Sequence, residues 1–389
     1  MHLPLTRRRF LQASTAAAGL ALAPRNLRAA QAQAPAREFA FVLLGDLHLD
    51  RPEHHDMDWV RREKPNDVRQ IEGYCRNTRE VTPQLFATVR NTIADLNLNP
   101  ATRAPFVVQV GDLVEGLCGS EELARRHNAD ALTLVRDAGL GAPLVFTKGN
   151  HDVTGPGAAE AFAGIFHPFL TREVRSITPA AAEVTSGSYG FAHGNAQFMF
   201  LDAYEAARSL EWFEAEVARR NAEHLFVVVH PPVVPYGARA TWHVFSSARE
   251  KARRDKLLAL LGDQRAIVLG GHIHKYNALA RRAGKGRFTQ FALSSVLTSP
   301  AAKPRTVLEG LATYTPDQIR VEPEFSSANE AERRAVYETE RPFVTAFDYA
   351  DLPGYAVVRI SGPRVTVSMH AGTAREPWRT VDLTKLLSG

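Results

Sequence analysis

The chain has 389 residues, of which 45% are hydrophobic and 23% charged, so its composition excludes a wholly disordered or collagen-like protein. Apolar runs of the roughly 20 residues that cross a bilayer do not occur, which excludes a multi-pass membrane protein. The formal charge of +5 comes from the first 32 residues, which hold five arginines and no acid; the rest balances 42 basic against 42 acidic residues, and no nucleic-acid partner is implied.

The N-terminal segment resembles a twin-arginine export signal. Arg7 and Arg8 lie in the motif Thr6–Gln12, and the weakly apolar stretch Phe10–Ala23 is too short to span a membrane. Ala30-Gln31-Ala32 supplies a signal-peptidase site. We therefore expect a signal peptide over 1–32, export to the periplasm or beyond by the twin-arginine translocase, and no stable membrane anchor. The alternative is an amphipathic N-terminal helix.

Beyond the signal, apolar runs alternate with helical patterns, which favours an α/β fold. Six buried strands are predicted: Phe39–Leu44, Pro105–Val110, Leu144–Thr147, Gln197–Leu201, Leu225–Val229 and Ala266–Leu269. Helices are predicted from Thr82 as N-cap, from Ser120 to Ala138, from Ser209 to Asn221, and from a capping box at Ser247 to Leu261.

The C-terminal part follows a different pattern. Tyr355–Ile360 and Arg364–Met369 alternate with period two around a Gly-Pro turn, which predicts a β-hairpin. Residues 300–353 are rich in proline and charge and contain one predicted helix, from Ser327. We interpret 33–389 as one domain, with 300–353 as an insertion or rim element.

The two cysteines leave two readings open. In an oxidising compartment Cys75 and Cys118 could pair as a disulfide, or both could be buried free thiols.

Aspartate, asparagine and histidine side chains follow five of the predicted strands. They are Asp46, His48, Asp112, Asn150, His151, His230, His272 and His274. Ligands of open α/β sheets bind beyond the carboxyl ends of the strands. Asp46/His48 and His272/His274 are i, i+2 pairs, whose side chains point the same way in extended backbone. A single such histidine is usually structural, but this ordered series predicts a metal site.

The residue types and their number indicate two metal ions. Imidazole, carboxylate and amide ligands suit iron, manganese or zinc. Seven ligands exceed what one four-coordinate ion takes, and fit two ions that share a carboxylate. Such a pair generates hydroxide from bridging water, as the nucleophile, and offsets charge on a phosphoryl group.

In the order D-x-H, G-D, G-N-H-D, H, G-H-x-H, the chain resembles the calcineurin-like metallophosphoesterase superfamily from Phe39 to about Ala278. The resemblance implies a four-layer α/β/β/α sandwich. It also implies one metal held by Asp46, His48, Asp112 and His274, and a second held by Asp112, Asn150, His230 and His272, with Asp112 bridging.

The same resemblance implies that His151 lies near the leaving group, which it protonates or whose charge it stabilises. The family often orients this histidine with an aspartate three residues after the bridging one, where this chain has Glu115. Glu115 and Asp152 are both candidates for the orienting role. The arginines of protein serine/threonine phosphatases and the iron-binding tyrosine of purple acid phosphatases are missing at the corresponding positions, which favours the phosphodiesterase and broad-specificity branches.

Two loops carry further histidines. His54 and His55 lie in the polar cluster that follows the first motif, and His243 lies beyond His230. Each is a candidate substrate contact, and each has the alternative of an ordinary structural or surface residue.

These observations predict a binuclear hydrolase of small-molecule phosphate esters that leans towards diesters. The first alternative is a broad-specificity phosphomonoesterase or nucleotidase. An alternative of another class is a metal-stabilised binding protein without turnover, for which His151 would have no use.

Overall fold

The computed structural model describes residues 37–317 and 327–388, with side chains in the last segment from Glu330. The predicted signal peptide lies outside these residues. The strands are β1 Glu38–Leu44, β2 Val107–Gln109, β3 Leu144–Phe146, β4 Tyr189–His193, β5 Ala196–Phe200, β6 His224–Val228, β7 Ile267–Gly270, β8 Tyr276–Ala283, β9 Gly286–Ala292, β10 Val307–Glu309, β11 Val344–Ala350, β12 Gly354–Ser361, β13 Arg364–Ala371 and β14 Arg379–Asp382.

The helices of the described residues include five that the sequence patterns did not predict: two between β1 and Thr82, two after β3 and one at the C-terminal end. They are α1 Met57–Glu63, α2 Val68–Glu80, α3 Thr82–Asn97, α4 Glu121–Ala138, α5 Ala158–Ala161, α6 His167–Ile177, α7 Ala206–Ala218, α8 Lys251–Asp263, α9 Ser327–Glu340 and α10 Leu383–Ser388, with a π-helical turn Phe162–Phe166 joining α5 to α6.

The described strands form two sheets. One has the order β14-β13-β12-β1-β2-β3 and the other β10-β11-β8-β9-β7-β6-β5-β4. β1, β2 and β3 are parallel, as are β5, β6, β7 and β9, so the carboxyl ends of these strands lie at one edge of each sheet. The predicted C-terminal hairpin is β12–β13, and β12 pairs antiparallel with β1.

Aromatic residues fill the space between the sheets. The ring of Phe41 in β1 packs edge-on against Phe198 and Phe226 of the other sheet, at 5.4 and 5.5 Å between centroids. Strand alternation puts Phe198 into this inner core and Met199 into the outer one, where the helices pack. Helices α3 and α4 cover the first sheet, and α7 and α8 the second. The predicted four-layer α/β/β/α sandwich is confirmed.

Several helix starts differ from the prediction. Thr82 is not an N-cap, because α2 runs almost directly into α3 and the Thr82 hydroxyl donates to the Asn77 carbonyl. The hydroxyl of Ser247 donates to the Glu250 side chain instead of capping the helix backbone. Ser209 lies inside α7, which begins three residues earlier. Ser120 caps α4 as predicted and accepts from the Leu123 amide.

The predicted rim element 300–353 contains the predicted helix α9 and also two strands. β11 pairs antiparallel with β8, so Val344–Ala350 is part of the second sheet, and β10 forms its edge. Cys75 and Cys118 are buried free thiols. In the part of the chain that the structure describes, no helix is long and apolar enough to cross a membrane.

Candidate metal centre

The side chains that the sequence predicts as metal ligands converge at the carboxyl edge of the two sheets. The ligand atoms of Asp46, His48, Asp112 and His274 lie within 4.8 Å of one another, and so do those of Asp112, His230 and His272. Asn150 Oδ1 lies 3.2 Å from His230 Nε2 and joins the second group. Asp112 belongs to both groups, as a bridging carboxylate requires.

The backbone at four of these seven positions is left-handed, not extended. φ is +45° at His48, +53° at Asp112, +71° at His272 and +58° at His274. Tight turns after the strands, and not extended alternation, therefore aim the side chains. Asp46 and His48 still reach the same group, as expected, whereas His272 and His274 face different groups. Left-handed backbone at non-glycine residues costs energy and concentrates at functional sites.

Two glycines allow the turns to approach each other closely. A Cβ on Gly149 would lie 2.1 Å from Asp112 Oδ1, and one on Gly271 would lie 2.5 Å from Asp46 Oδ2. No side chain fits at either contact. The glycines before Asn150 and His272 are therefore part of the site.

Hydrogen bonds behind the centre fix the orientation of two imidazoles. His48 Nδ1 donates to Glu115 Oε2 at 2.6 Å, and His230 Nδ1 donates to the Val110 carbonyl at 2.9 Å. Gln70 in turn donates to the other oxygen of Glu115 at 2.9 Å. Each ring therefore presents Nε2 to the centre. Such outer partners set the tautomer of a metal-binding histidine.

The residues present fit a pair of cations. Asp46 Oδ2 is buried and has no hydrogen-bond partner among the described residues. His48 Nε2 lies 3.1 Å from His274 Nε2, and His230 Nε2 lies 3.2 Å from His272 Nδ1. Acceptor atoms crowded together in this way repel one another unless a cation or a proton lies between them. The nitrogen and oxygen donors are those that zinc, manganese and iron accept.

Without metal, protons would share the centre. Burial opposes protonation of His230, but the Asp112 and Asp46 carboxylates raise its pKa to about 9. Burial and the neighbouring His230 charge lower the pKa of His272 to about 3. Because metals bind the neutral imidazole, metal and proton compete for His230.

His151 lies beside this centre and is partly exposed. Its ring is 4.7 Å from that of His48 and nearly perpendicular to it, and its amide donates to Asp112 Oδ1 at 2.8 Å. Its Nδ1 donates to the main-chain carbonyl of Glu115 at 2.8 Å, which leaves Nε2 as the nitrogen for a ligand. Burial lowers the pKa of His151, but the Glu115 and Asp112 charges raise it more.

The two candidates for orienting His151 have other main roles. The Glu115 carboxylate makes its short bond to His48 and is 3.3 Å from His151 Nδ1, so its carbonyl, more than its side chain, orients His151. Asp152 accepts the amides of Gly149, Asp112 and Val114 at 2.7–3.1 Å. Asp152 thus fixes the two loops against each other, while its catalytic partnership with His151 stays a prediction.

His54 and His55 are buried around Asp50, away from the opening of the centre. His55 Nε2 contacts both oxygens of Asp50 at 2.8 and 2.9 Å, and His54 Nε2 contacts Asp130 at 3.0 Å. His127 joins this group with Nε2 bonded to the Leu49 carbonyl at 2.7 Å. Unlike the ligand groups, this cluster has its imidazole nitrogens satisfied by hydrogen bonds. The two histidines hold the loop through these bonds, which agrees with the structural alternative, and a substrate contact stays a prediction.

His243 is also buried. Its Nδ1 donates to the Ala240 carbonyl at 2.7 Å, and burial together with the Arg254 charge lowers its pKa to about 4. With 9% of its surface exposed, His243 has a structural role in this loop, and a substrate contact stays a prediction.

Three residues that the sequence patterns did not single out surround the centre. The Tyr74 ring stacks on His48 at 4.3 Å and 17°. The Trp242 ring lies 5.7 Å from His272, and the Arg239 guanidinium lies over that indole at 4.6 Å. The sequence could have pointed to Arg239, because it is the only lysine or arginine between His230 and Arg249. No such feature of the sequence pointed to Tyr74.

Comparison with known proteins gives one family and several similar folds. The family model of calcineurin-like phosphoesterases matches residues 39–276. No curated protein matches the sequence significantly. A purple acid phosphatase from yellow lupin seeds is similar at 13% identity and a TM-score of 0.51, over 90% of this chain and 54% of its own.

Two further solved structures align over most of both chains. A dimetal phosphatase from Danio rerio has 14% identity and a TM-score of 0.49, over 90% of this chain and 99% of its own. GAP50 of Plasmodium, an inner-membrane-complex anchor, has 13% identity and a TM-score of 0.46, over 89% of this chain and 88% of its own. At such identities the lupin structure supports the fold alone.

Proposed function

The chain belongs to the calcineurin-like phosphoesterase family and is a metal-dependent phosphoesterase, and from this premise we propose that it is an exported hydrolase that prefers phosphate diesters. The observation that carries the proposal is Asp112, whose carboxylate belongs to both ligand groups. Sharing one carboxylate is what a two-metal centre for phosphoryl transfer needs.

The ligands divide into two sets. Asp46, His48, Asp112 and His274 would hold one ion, and Asp112, Asn150, His230 and His272 the other. Iron, manganese and zinc match these donors. When bound, two such ions lower the pKa of a water molecule between them and offset the negative charge of the phosphoryl oxygens.

His151 supplies a proton to the leaving group in this proposal. The bond from Nδ1 to the Glu115 carbonyl fixes the ring and leaves Nε2 to carry the transferable proton. Hydrolysis of a diester releases an alkoxide or phenoxide, which takes up this proton. The diester substrate itself carries one negative charge less than a monoester. The sequence positions at which protein phosphatases clamp the monoester dianion with arginine hold other residues.

A broad-specificity monoesterase or nucleotidase is the second candidate. The observation in its favour is Arg239, which lies against Trp242 beside His272 and so brings a guanidinium to the opening of the centre. Guanidinium groups bind phosphate oxygens in a bidentate way.

Metal analysis combined with two substrates tests the proposal. The purified protein is expected to contain two equivalents of metal and to cleave bis-p-nitrophenyl phosphate with a kcat/KM at least equal to that for p-nitrophenyl phosphate. A strong preference for the monoester would transfer the assignment to the second candidate. A two-metal protein that cleaves neither ester would overturn both.

Export is tested separately. Replacing Arg7 and Arg8 together by lysine is expected to leave uncleaved precursor in the cytoplasm, because the translocase recognises guanidinium groups whose geometry lysine lacks. The matched control replaces Arg25 and Arg28, in the same segment, by lysine. Mature protein outside the inner membrane in the first variant would refute the export signal.

A further inference from the structure

We propose that Arg239 and Trp242 form a substrate-binding rim that selects phosphate esters with an aromatic group. In this role the guanidinium pairs with a non-bridging phosphoryl oxygen, and the indole packs against the aromatic ring of the ester. The inference rests on the proposed phosphoesterase function and deepens it, since it names a substrate class.

The rim stands on a loop that is held rigidly at its base. This loop, residues 231–246, follows His230 directly and closes on itself where the Val244 amide donates to the Pro232 carbonyl at 2.8 Å. Arg254 donates to the carbonyls of Val233 and Val244 at 2.8 and 3.1 Å, and Gln290 accepts the Val233 amide at 2.8 Å. A loop fixed in this way presents its side chains without a further ordering cost.

Two buried tyrosines fix the middle of the same loop. The Tyr314 hydroxyl donates to the Pro235 carbonyl at 2.8 Å, and the Tyr337 hydroxyl donates to the Gly237 carbonyl at 3.1 Å. Residues 231–238 are all buried. Trp242, in contrast, keeps 45% of its surface exposed although the loop around it is packed.

The exposed indole lies at the centre and not at a remote surface. Its ring is 5.7 Å from that of His272, a candidate ligand, at an interplanar angle of 48°. Arg239 lies over the indole with Cζ 4.6 Å from the ring centroid. Stacking orients the planar guanidinium, whose five N–H donors form a rigid fork that matches phosphate geometry.

The other ligand group also has an aromatic neighbour. Tyr74 stacks on His48, in that group, at 4.3 Å.

This combination suits an anion that carries a flat ring. The guanidinium matches phosphate oxygens, whereas the exposed indole offers apolar area and a π face next to the reacting group. An alkyl ester would gain only the first contact. Aromatic pairs contribute about 0.5–1.5 kcal/mol beyond buried area, which corresponds to a preference of about 2–12-fold.

Diesters with one common leaving group test the indole. Phenyl p-nitrophenyl phosphate and methyl p-nitrophenyl phosphate both release p-nitrophenolate, so their kcat/KM ratio reports recognition of the retained group. We expect the wild-type protein to prefer the phenyl diester about 2–12-fold, mainly through KM. In Trp242→Ala the ratio is expected to fall to near one, and in Trp242→Phe to an intermediate value.

A matched control exists at the far end of β8. Phe343 is 44% exposed and carries the Arg281 guanidinium over its ring at 4.7 Å, so it reproduces the stacked pair away from the centre. Phe343→Ala is expected to leave the phenyl-to-methyl ratio unchanged. A fall of the ratio in this variant equal to that in Trp242→Ala would overturn the assignment.

Inorganic phosphate tests the guanidinium without turnover of an aromatic ester. We expect Arg239→Gln to weaken competitive inhibition by phosphate about tenfold, which corresponds to one charge-assisted contact, with Arg239→Lys between it and the wild type. Metal content is expected to stay unchanged in all rim variants.

The two levels of the proposal fail in different ways. A wild-type protein that cleaves no phosphate ester would refute the proposed function. The rim alone would be refuted if the wild-type protein cleaved both diesters but Trp242→Ala left the phenyl-to-methyl ratio unchanged. An Arg239→Gln variant with unchanged inhibition by phosphate would refute it as well.

Discussion

Replacing Glu340 by glutamine is expected to lower the free energy of unfolding by about 3–5 kcal/mol. Glu340 ends α9 and lies between two arginines, with Arg254 Nη2 at 2.7 Å and Arg281 Nε at 2.6 Å. All three residues are less than 10% exposed. The two guanidinium groups hold the pKa of Glu340 below its ordinary value although burial alone would raise it.

The magnitude follows from this geometry in two ways. Glutamine keeps one carbonyl oxygen but turns its amide NH2 group, itself a donor, towards one of the arginine donors. Charge-assisted bonds of about 1.5–3 kcal/mol each are therefore lost or weakened. Removing one partner of a buried ion pair costs about 3–5 kcal/mol, because the remaining charge is left without compensation. Here two positive charges would remain.

Urea unfolding at neutral pH measures the effect as a shift of the midpoint at unchanged slope. The control is Glu330→Gln in the same helix, where the carboxylate pairs with Arg334 at 2.9 Å on the exposed side. We expect no measurable shift for this variant. A loss below about 1 kcal/mol for Glu340→Gln would refute the reasoning, since it would mean that water reaches the two arginines.

The same substitution links stability to the centre. Arg254 also holds the carbonyls of Val233 and Val244, at the base of the loop that carries Arg239 and Trp242. We therefore expect Glu340→Gln to raise KM for aryl esters without changing metal content.

Three further predictions concern the centre and its surroundings. Asp112→Asn should abolish activity and lower the content of both metals, because one carboxylate serves both ligand groups; Asp130→Asn is the control, and loss of a single ion would contradict the sharing. His151→Ala should leave metal content unchanged and slow alkyl leaving groups more than p-nitrophenolate, since general-acid catalysis of about 10²–10⁴-fold matters most for basic leaving groups; equal losses would leave His151 an electrostatic role only. Burial lowers the pKa of His243 to about 4, whereas the pKa of a histidine in the unfolded chain is about 6.5. As the pH falls from 6.5 to 4, the unfolded chain takes up a proton that the folded protein does not, and about 3 kcal/mol of stability is lost. Urea unfolding of His243→Gln should show a correspondingly weaker loss over that range, and an unchanged pH dependence would refute the shift.

The sequence by itself determined the family and the layered fold. Apolar runs that end in Gly-Asp, Gly-Asn-His and Gly-His-x-His mark strands and, directly after them, polar residues, and both features are local in the chain. The parallel arrangement within each sheet then brings the strand ends before Asp46 and Asp112 to one edge, and those before His230 and His272 to one edge of the other sheet. The packing of the two sheets joins these edges into one centre.

The roles of the neighbouring residues were decided only by the tertiary structure. Glu115 binds His48, 67 positions away, and Asp152 binds the amide of Asp112, 40 positions away, although their sequence neighbours pointed to His151. His54 and His55 lie in a polar stretch, yet they are buried because Asp50 and Asp130 compensate them. A hydrophilic segment does not indicate which of its side chains find buried partners.

The rim around the centre depends most on the fold. Tyr74 comes from a helix that the patterns did not predict, while Arg239 and Trp242 come from a loop fixed by Arg254 and Gln290. Sequence spacing limits only what residues close in the chain can contact. Contacts between separate segments are set by how helices and sheets pack, and the stacking of Tyr74 on His48 and of Trp242 near His272 therefore emerged only when the layers were assembled.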